Sequence, residues 1–440
     1  MPVAAKELFA WHERPGCFER LNPPFDPVEV EERVGGLEVG ARTVVRMPLG
    51  PVKQRWVAEH TAYEPGRMFR DEQTSGPFSK WVHTHTFVPK DDHTSELVDH
   101  IDYALPLGPL GSAFGGGFAE GQLERMFAYR HTLTRNDLSR HAAFASKPRL
   151  TFAVTGASGL VGSSLIPFLT TGGHRAHAVK RTGAEFDESA LDGADVVVNL
   201  AGAGIADERW TPERKVLLVQ SRVDYTRRLI ASLKKSGSKP KLWIQGSAIG
   251  IYGDRGDEVL TEDSKVGEPG DRAGRFLAKL CIDWEAAGEE AASLGARVVH
   301  LRTGIVQSAR GGALSKLLTP FKLGVGGPLA GGRAWQSWIS SEDLIGIVPF
   351  LAYTESIEGP VNAVAPHAVT SLEYAKVLGR VLHRPAIAPL PAFALRALFG
   401  ELADGALLAS QHVEPRRLAT AGFRFLHPML EDALRFSLGR

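Results

Sequence analysis

Apolar and polar residues alternate along several short runs in the first third of the chain. Gln54-Arg-Trp-Val-Ala-Glu-His60, Trp81-Val-His-Thr-His-Thr-Phe87 and Glu96-Leu-Val-Asp-His-Ile-Asp-Tyr103 carry the two-residue period of half-buried strands, and Pro65-Gly66 and Pro89–His93 punctuate them. From about Phe118 to Leu138 the period lengthens to that of a helix, with Leu123, Met126, Phe127, Arg130 and Leu133 near one stripe. The glycine-rich stretch Gly111–Gly117 before it reads as a loop. An antiparallel sheet closed by one long helix, an α+β arrangement, is the simplest packing.

The pattern changes at Lys147-Pro148-Arg149. Leu150–Thr155 is an apolar strand followed by a glycine-rich turn and a helix. Asp195–Leu200, Lys241–Gln245 and Ala296–Leu301 repeat the strand role, with helical segments between them. Strands alternating with helices predict a parallel, doubly wound α/β sheet. Beyond about Pro385 the chain turns helical again, broken by Pro389, Pro391 and Pro415. Three regions follow: 1–146, 150–384 and 385–440.

Gly156, Gly159 and Gly162 in Thr155-Gly-Ala-Ser-Gly-Leu-Val-Gly162 stand directly after a strand and at the start of a helix. Glycines there permit a tight turn and let the backbone approach a pyrophosphate, while the helix N-terminus offers unpaired N–H groups. The candidate cradle is Gly156, Ser158, Gly159, Leu160 and Gly162. The next strand, His177–Lys180, ends in Arg181. An acid there would accept from ribose hydroxyls, whereas a base suits an extra phosphate, so Lys180-Arg181 favours NADP over NAD. Asn199, Leu200, Ala201 and Gly202 follow another strand and are expected to pass beneath the cofactor.

Composition narrows the partners. Lys and Arg total 51 against 50 Asp and Glu, so nothing favours nucleic acid. Two cysteines, Cys17 and Cys281, lie far apart and fit a reducing compartment rather than a disulfide framework. No apolar leader opens the chain and no apolar run reaches membrane-spanning length, so a cytoplasmic protein is expected.

Taken together, residues 152 to about 434 resemble the atypical short-chain dehydrogenase/reductase proteins labelled epimerase-like or cell-division-inhibitor-like. The resemblance rests on the Thr155–Gly162 turn, Asn199-Leu-Ala-Gly202, Ile205–Thr211 and Ser221-Arg222. It continues through Gly246–Asp254, Leu301-Arg-Thr-Gly304, Gly324–Gly327, Trp338–Asp343 and His383-Arg-Pro385. Residues 1–146 resemble, more loosely, the START-like (SRPBCC) ligand-binding module that some members carry in front.

The resemblance implies a Rossmann fold, a cleft above the C-terminal strand ends and a Tyr-xxx-Lys pair. In that pair Lys lowers the Tyr pKa and holds the nicotinamide ribose, Tyr exchanges a proton with the substrate oxygen, and a Ser or Thr holds that oxygen. Lys279 matches the Lys and Ser247 the Ser, but Arg275 stands where the Tyr belongs. Tyr252 is an alternative acid/base, with packing as the plainer reading. The Arg that grips a sugar-nucleotide diphosphate falls at Gln336, with Arg333 close enough to substitute. Arg209 and Trp210 are placed to reach the same cleft, or to form a salt bridge and a packed indole.

The expectation is an NADP(H)-dependent oxidoreductase or epimerase-like enzyme acting on a small molecule, with an apolar ligand in the front module. The alternative is a non-catalytic NADP(H)-binding sensor. His83 and His85 share one strand face and could ligate a metal with His60, His93 or His100. With Trp81 and Phe87 beside them, a packed sheet face without metal is expected instead.

Overall fold

The computed structural model describes residues 1–49, 52–182, 185–267 and 272–440. It divides into two compact units, Met1–Pro148 and, from Arg149 on, Arg149–Leu169 with His174–Leu438.

In the first unit, α1 (Ala5–Glu13) and α2 (Cys17–Leu21) precede six strands and a long helix. The strands are β1 (Glu29–Val34), β2 (Arg42–Leu49), β3 (Val52–Glu64), β4 (Met68–Ser75), β5 (Lys80–Pro89) and β6 (Ser95–Ala104). Among the described residues they form one antiparallel sheet in sequence order. Alternation along β5 buries Trp81, His83, His85 and Phe87 on a single face. Phe69 and Phe87 share a core with Leu8, Phe9 and Trp11 of α1 and with Leu138 of the long helix α3 (Pro109–Ala142). The helix therefore takes in the Gly111–Gly117 stretch, correcting the loop expected there. Pro109 opens it at a position where a helix needs no N–H and where φ is already preset.

In the second unit β7 (Thr151–Thr155), β8 (Arg175–Ala178), the hairpin β9 (Arg181–Thr182) and β10 (Glu185–Phe186), β11 (Val196–Asn199) and β12 (Leu242–Ala248) precede β13 (Val259–Leu260) and β14 (Arg297–Thr303). With β18 (Gly359–Ala363), six of these form a parallel sheet in the order β18-β14-β12-β11-β7-β8 among the described residues. Both faces are covered, which is why these strands read as near-continuous apolar runs. Phe152, Val154, Val198 and Ile244 pack against Leu165 of α4 (Gly162–Thr171) and Ile345 of α9 (Ser341–Tyr353). Ala153, Val197 and Trp243 pack against Leu229, Ile230 and Leu233 of α6 (Tyr225–Ser236). The fold is thus a Rossmann sheet, with β7 and β11 as the neighbours at which the strand order reverses. In such sheets ligands bind outside the carboxyl ends of those strands.

Residues beyond 385 pack into this same unit. Leu430, Ala433 and Leu434 of α13 (Leu430–Leu438) share a core with α8 (Gly312–Lys322) and α10 (Ser371–Leu382). The short strand β20 (His412–Val413) pairs in parallel with β13. Among the described residues no helix is long and apolar enough to cross a membrane.

Candidate active site

The glycine turn after β7 meets the loop after β11 at the reversal point. Gly156 has φ +66°, and a Cβ there would lie 2.7 Å from the carbonyl oxygen of Leu200. A Cβ on Gly162 would collide with the Gly156 carbonyl. Only glycine admits both approaches. Gly159 N–H closes the turn by donating to Gly156 O at 3.0 Å. Ser158 and Gly159 are exposed, and among the described residues the N–H groups of Ser158 and Leu160 carry no hydrogen bond. Free N–H groups at a helix N-terminus, with no side chain in the way, are what a pyrophosphate needs.

A buried polar lock beneath the turn holds it in place. Thr155 Oγ1 donates to Asn199 Oδ1 at 2.7 Å and accepts from the N–H groups of Leu200 and Ala201 at 3.1 and 3.2 Å. Asn199 Nδ2 donates to Thr226 Oγ1 at 2.8 Å and Gln245 Oε1 at 3.1 Å. The Asn199 side chain therefore ties three strands and α6 together, and its amide is spent on that lock. A Cβ on Gly202 would lie 2.9 Å from Arg222 Cζ. Arg222 is buried, lies over the Trp284 ring and donates to the Leu218 and Ala203 carbonyls; burial lowers its pKa to about 10. Arg181 opens β9 just past β8; its guanidinium is exposed, 5.9 Å from the Tyr225 ring centroid.

A second network joins the ends of β12, β14 and β18. Ser247 Oγ donates to Glu285 Oε1 at 2.7 Å from β12 to α7 (Arg272–Glu289). Arg302 grips Glu285 through Nε to Oε1 at 2.8 Å and Nη2 to Oε2 at 2.9 Å. Its Nη1 donates to the Tyr252 hydroxyl at 3.0 Å, which donates to Asn362 Oδ1 at 2.7 Å. Burial raises the Tyr252 pKa, with Arg302 and the Asn362 bond pulling the other way. Tyr252 is fully buried, so the structure brings it together with Ser247 but turns its hydroxyl to Arg302 and Asn362, not to an open cleft. Lys279 stands apart from this network. It is exposed on α7 and paired with Asp283 at 2.9 Å, one helical turn on. Arg275 is exposed in the first turn of the same helix.

The four candidate substrate residues separate. Arg209 donates to the carbonyls of Leu398, at 3.0 Å, and Ala397, near the end of α11 (Ala392–Phe399). Trp210 is buried among Leu218, Leu277, Leu280 and Leu402, its indole N–H on Ile205 O at 2.9 Å. Both hold the later helices in place. Gln336 sits on the two-residue strand β16 (Trp335–Gln336), which pairs with β19 (Val369–Thr370). Arg333 is exposed and carries no hydrogen bond or ion pair among the described residues.

Sequence reasoning missed Glu285, Arg302 and Asn362. The signal lay in Arg302, a charge continuing the apolar strand Val298–Leu301, because a buried cation requires a buried anion nearby.

Comparison with known proteins agrees with this geometry. The family model described as "NAD dependent epimerase/dehydratase family" matches residues 152–362. "Polyketide cyclase / dehydrase and lipid transport" matches residues 1–128, and a domain of unknown function, DUF1731, matches residues 390–436. The chain is 39% identical over 301 residues to an epimerase family protein of Mycobacterium bovis, an alignment covering 66% of this chain and 97% of that protein. A solved structure described as the nucleoside-diphosphate sugar epimerase from Corynebacterium glutamicum is 32% identical, with TM-score 0.79, covering 100% of this chain and 89% of that one. The human epimerase family protein SDR39U1 (isoform 2), solved with NADPH, is 32% identical with TM-score 0.60, covering 66% of this chain and 99% of that one.

Proposed function

The chain belongs to the NAD-dependent epimerase/dehydratase family, and we propose that it is an NADP(H)-using oxidoreductase or epimerase-like enzyme acting on a small molecule. The observation that carries this reading is the glycine cradle, where Gly156 approaches Leu200 so closely that only a bare backbone fits and exposed N–H groups remain for an anion. The NADPH bound to the human relative supports the same cofactor. In this proposal Ser158, Gly159, Leu160 and Gly162 receive the pyrophosphate, and the exposed Arg181 receives the ribose phosphate. When bound, the nicotinamide supplies or accepts a hydride.

Around it, Lys279 is proposed to leave Asp283 for the nicotinamide ribose. The Ser247 proton is committed to Glu285, so its oxygen is left to accept, which suits a substrate hydroxyl. Arg333 is the proposed contact for an anionic substrate group, with Gln336 beside it. Tyr252 is proposed to stiffen the cleft floor. For the front unit we infer a small apolar ligand, supported by the aromatic inner face of its sheet. The sealed Tyr252 and the arginine at 275 favour one second reading, an NADP(H) sensor without turnover.

Fluorescence titration of the purified protein with NADPH and NADH tests the cofactor assignment. Arg181→Ala should weaken NADPH binding by roughly 10- to 100-fold, the worth of a charge-assisted contact, and leave NADH binding nearly unchanged. Equal losses for both would sink the claim. NADPH oxidation with a panel of carbonyl compounds, abolished by Lys279→Ala, separates enzyme from sensor.

A further inference from the structure

The inner face of the front sheet carries a set of nitrogen and oxygen donors arranged around one point. His83 and His85 are two residues apart on β5, so both side chains enter from the same face. The register places Asp71 of β4 directly opposite His83, and Asp99 of β6 directly opposite His85. One donor atom from each of Asp71, His83 and His85 can be chosen so that all lie within 4.8 Å of one another. Asp71 Oδ1 is 3.4 Å from His83 Nδ1 and 3.7 Å from His85 Nε2. Ligands held about 2.1 Å from a tetrahedral ion stand about 3.4 Å apart, so these spacings are those of donors sharing one ion.

The opposite nitrogens face the other carboxylate. His83 Nε2 lies 3.1 Å from Asp99 Oδ1, and Asp99 Oδ2 also meets His131 Nε2 from α3. A carboxylate that accepts a proton from one ring nitrogen leaves the other with its lone pair exposed, which is how metal-bound histidines are oriented. Asp99 can do this for His83 and, by position, for His85. His85 is buried, with its Nδ1 2.6 Å from Asp99 Oδ1, a close pairing that leaves Nε2 on the Asp71 side. Phe69 stacks on His85 at 4.1 Å and Phe127 edges His83 at 5.3 Å, giving the site an apolar shell.

The geometry points to a divalent transition-metal site in the front unit, with Asp71, His83 Nδ1 and His85 Nε2 as ligands and Asp99 and His131 behind them. Two imidazoles and a carboxylate suit Zn²⁺ or Fe²⁺, rather than Ca²⁺ or Mg²⁺, which prefer all-oxygen sets, and leave at least one position open. The proposal departs from the metal-free packed face expected from the strand pattern. His93 and His100 are exposed and lie outside the set, whose remaining donors are carboxylates. The inference is independent of the cofactor reading, which concerns the other unit.

The test uses the full chain, stripped with a chelator and titrated with Co²⁺ and Zn²⁺. One ion per chain should bind, and X-ray absorption should show two imidazoles and no sulfur. His85→Gln and Asp71→Asn should each weaken Co²⁺ binding by more than about tenfold, and Asp99→Asn by roughly 10- to 100-fold. NADPH titration of each variant reports on the cofactor unit separately. Where a variant does not fold, absorption spectra of the unaltered chain decide. Wild-type chain that takes up no ion, an ion without imidazole scattering, or affinity indifferent to His85→Gln would each overturn the proposal, leaving a charge-balanced hydrogen-bond network.

Discussion

Replacing Glu285 with Gln isolates the energetics of the network at the strand ends. The side chains of Arg302 and Glu285 are 6% and 12% exposed and joined by two hydrogen bonds of 2.8 and 2.9 Å. Burial alone would lower the Arg302 pKa, but the pairing with Glu285 outweighs it and raises the value, so the guanidinium stays charged. Glu285→Gln keeps the shape and removes the anion. Arg302 is then a buried cation with no counter-charge, a change that costs about 3–5 kcal/mol in comparable sites. Gln keeps one acceptor oxygen, so one of the two bonds is lost outright, worth about 1.5–3 kcal/mol, and the uncompensated charge supplies the remainder. For a unit of this size, 3 kcal/mol corresponds to a melting shift of roughly 6–12 °C.

The assay is urea or thermal unfolding of the whole chain, with two transitions fitted because two units are present. The transition that NADPH moves upward identifies the cofactor unit. Arg302→Met in the Glu285→Gln background removes the stranded charge and should recover about 1–4 kcal/mol of the loss. A loss under about 1 kcal/mol for Glu285→Gln would place the pair with exposed ion pairs. That result, or a double variant no better than the single one, would refute the reasoning.

Two further outcomes follow from the geometry. Gly156→Ala forces an L side chain to φ +66° and against Leu200 O, costing about 1–2 kcal/mol for the backbone alone and more for the clash; NADPH affinity, measured by fluorescence, should fall at least about tenfold even where the chain still folds. Burial raises the thiol pKa of Cys17 strongly and that of Cys281 to about 12, so at pH 8 roughly one part in ten thousand or less is thiolate, and neither cysteine should react with iodoacetamide before unfolding, a point mass spectrometry reads directly.

What the chain disclosed in advance follows the range of the interactions involved. The glycine cradle was legible because each of its constraints is local: a strand end, a tight turn and a helix start lie within eight residues. The parallel strands were legible because burial on both faces leaves unbroken apolar runs. Side-chain roles set by distant partners were not. Tyr252 reads as a candidate acid within its own segment, yet Asn362 and Arg302, 110 and 50 residues away, occupy its hydroxyl. Trp210 and Arg209 read as cleft residues within their own loop, yet Leu402 helps bury the first and the carbonyls of Ala397 and Leu398 take the hydrogen bonds of the second. The same limit applies to the histidines of β5. Their spacing fixes the face, but only the pairing of β4 and β6 on either side brings in Asp71 and Asp99. In both units the telling residue is a charged or titratable one in buried apolar surroundings, Arg302 at the end of the apolar run of β14 and His85 on the aromatic face of β5. Burying such a group costs several kcal/mol unless a partner is built around it, so each one marks a place where distant parts of the chain must converge.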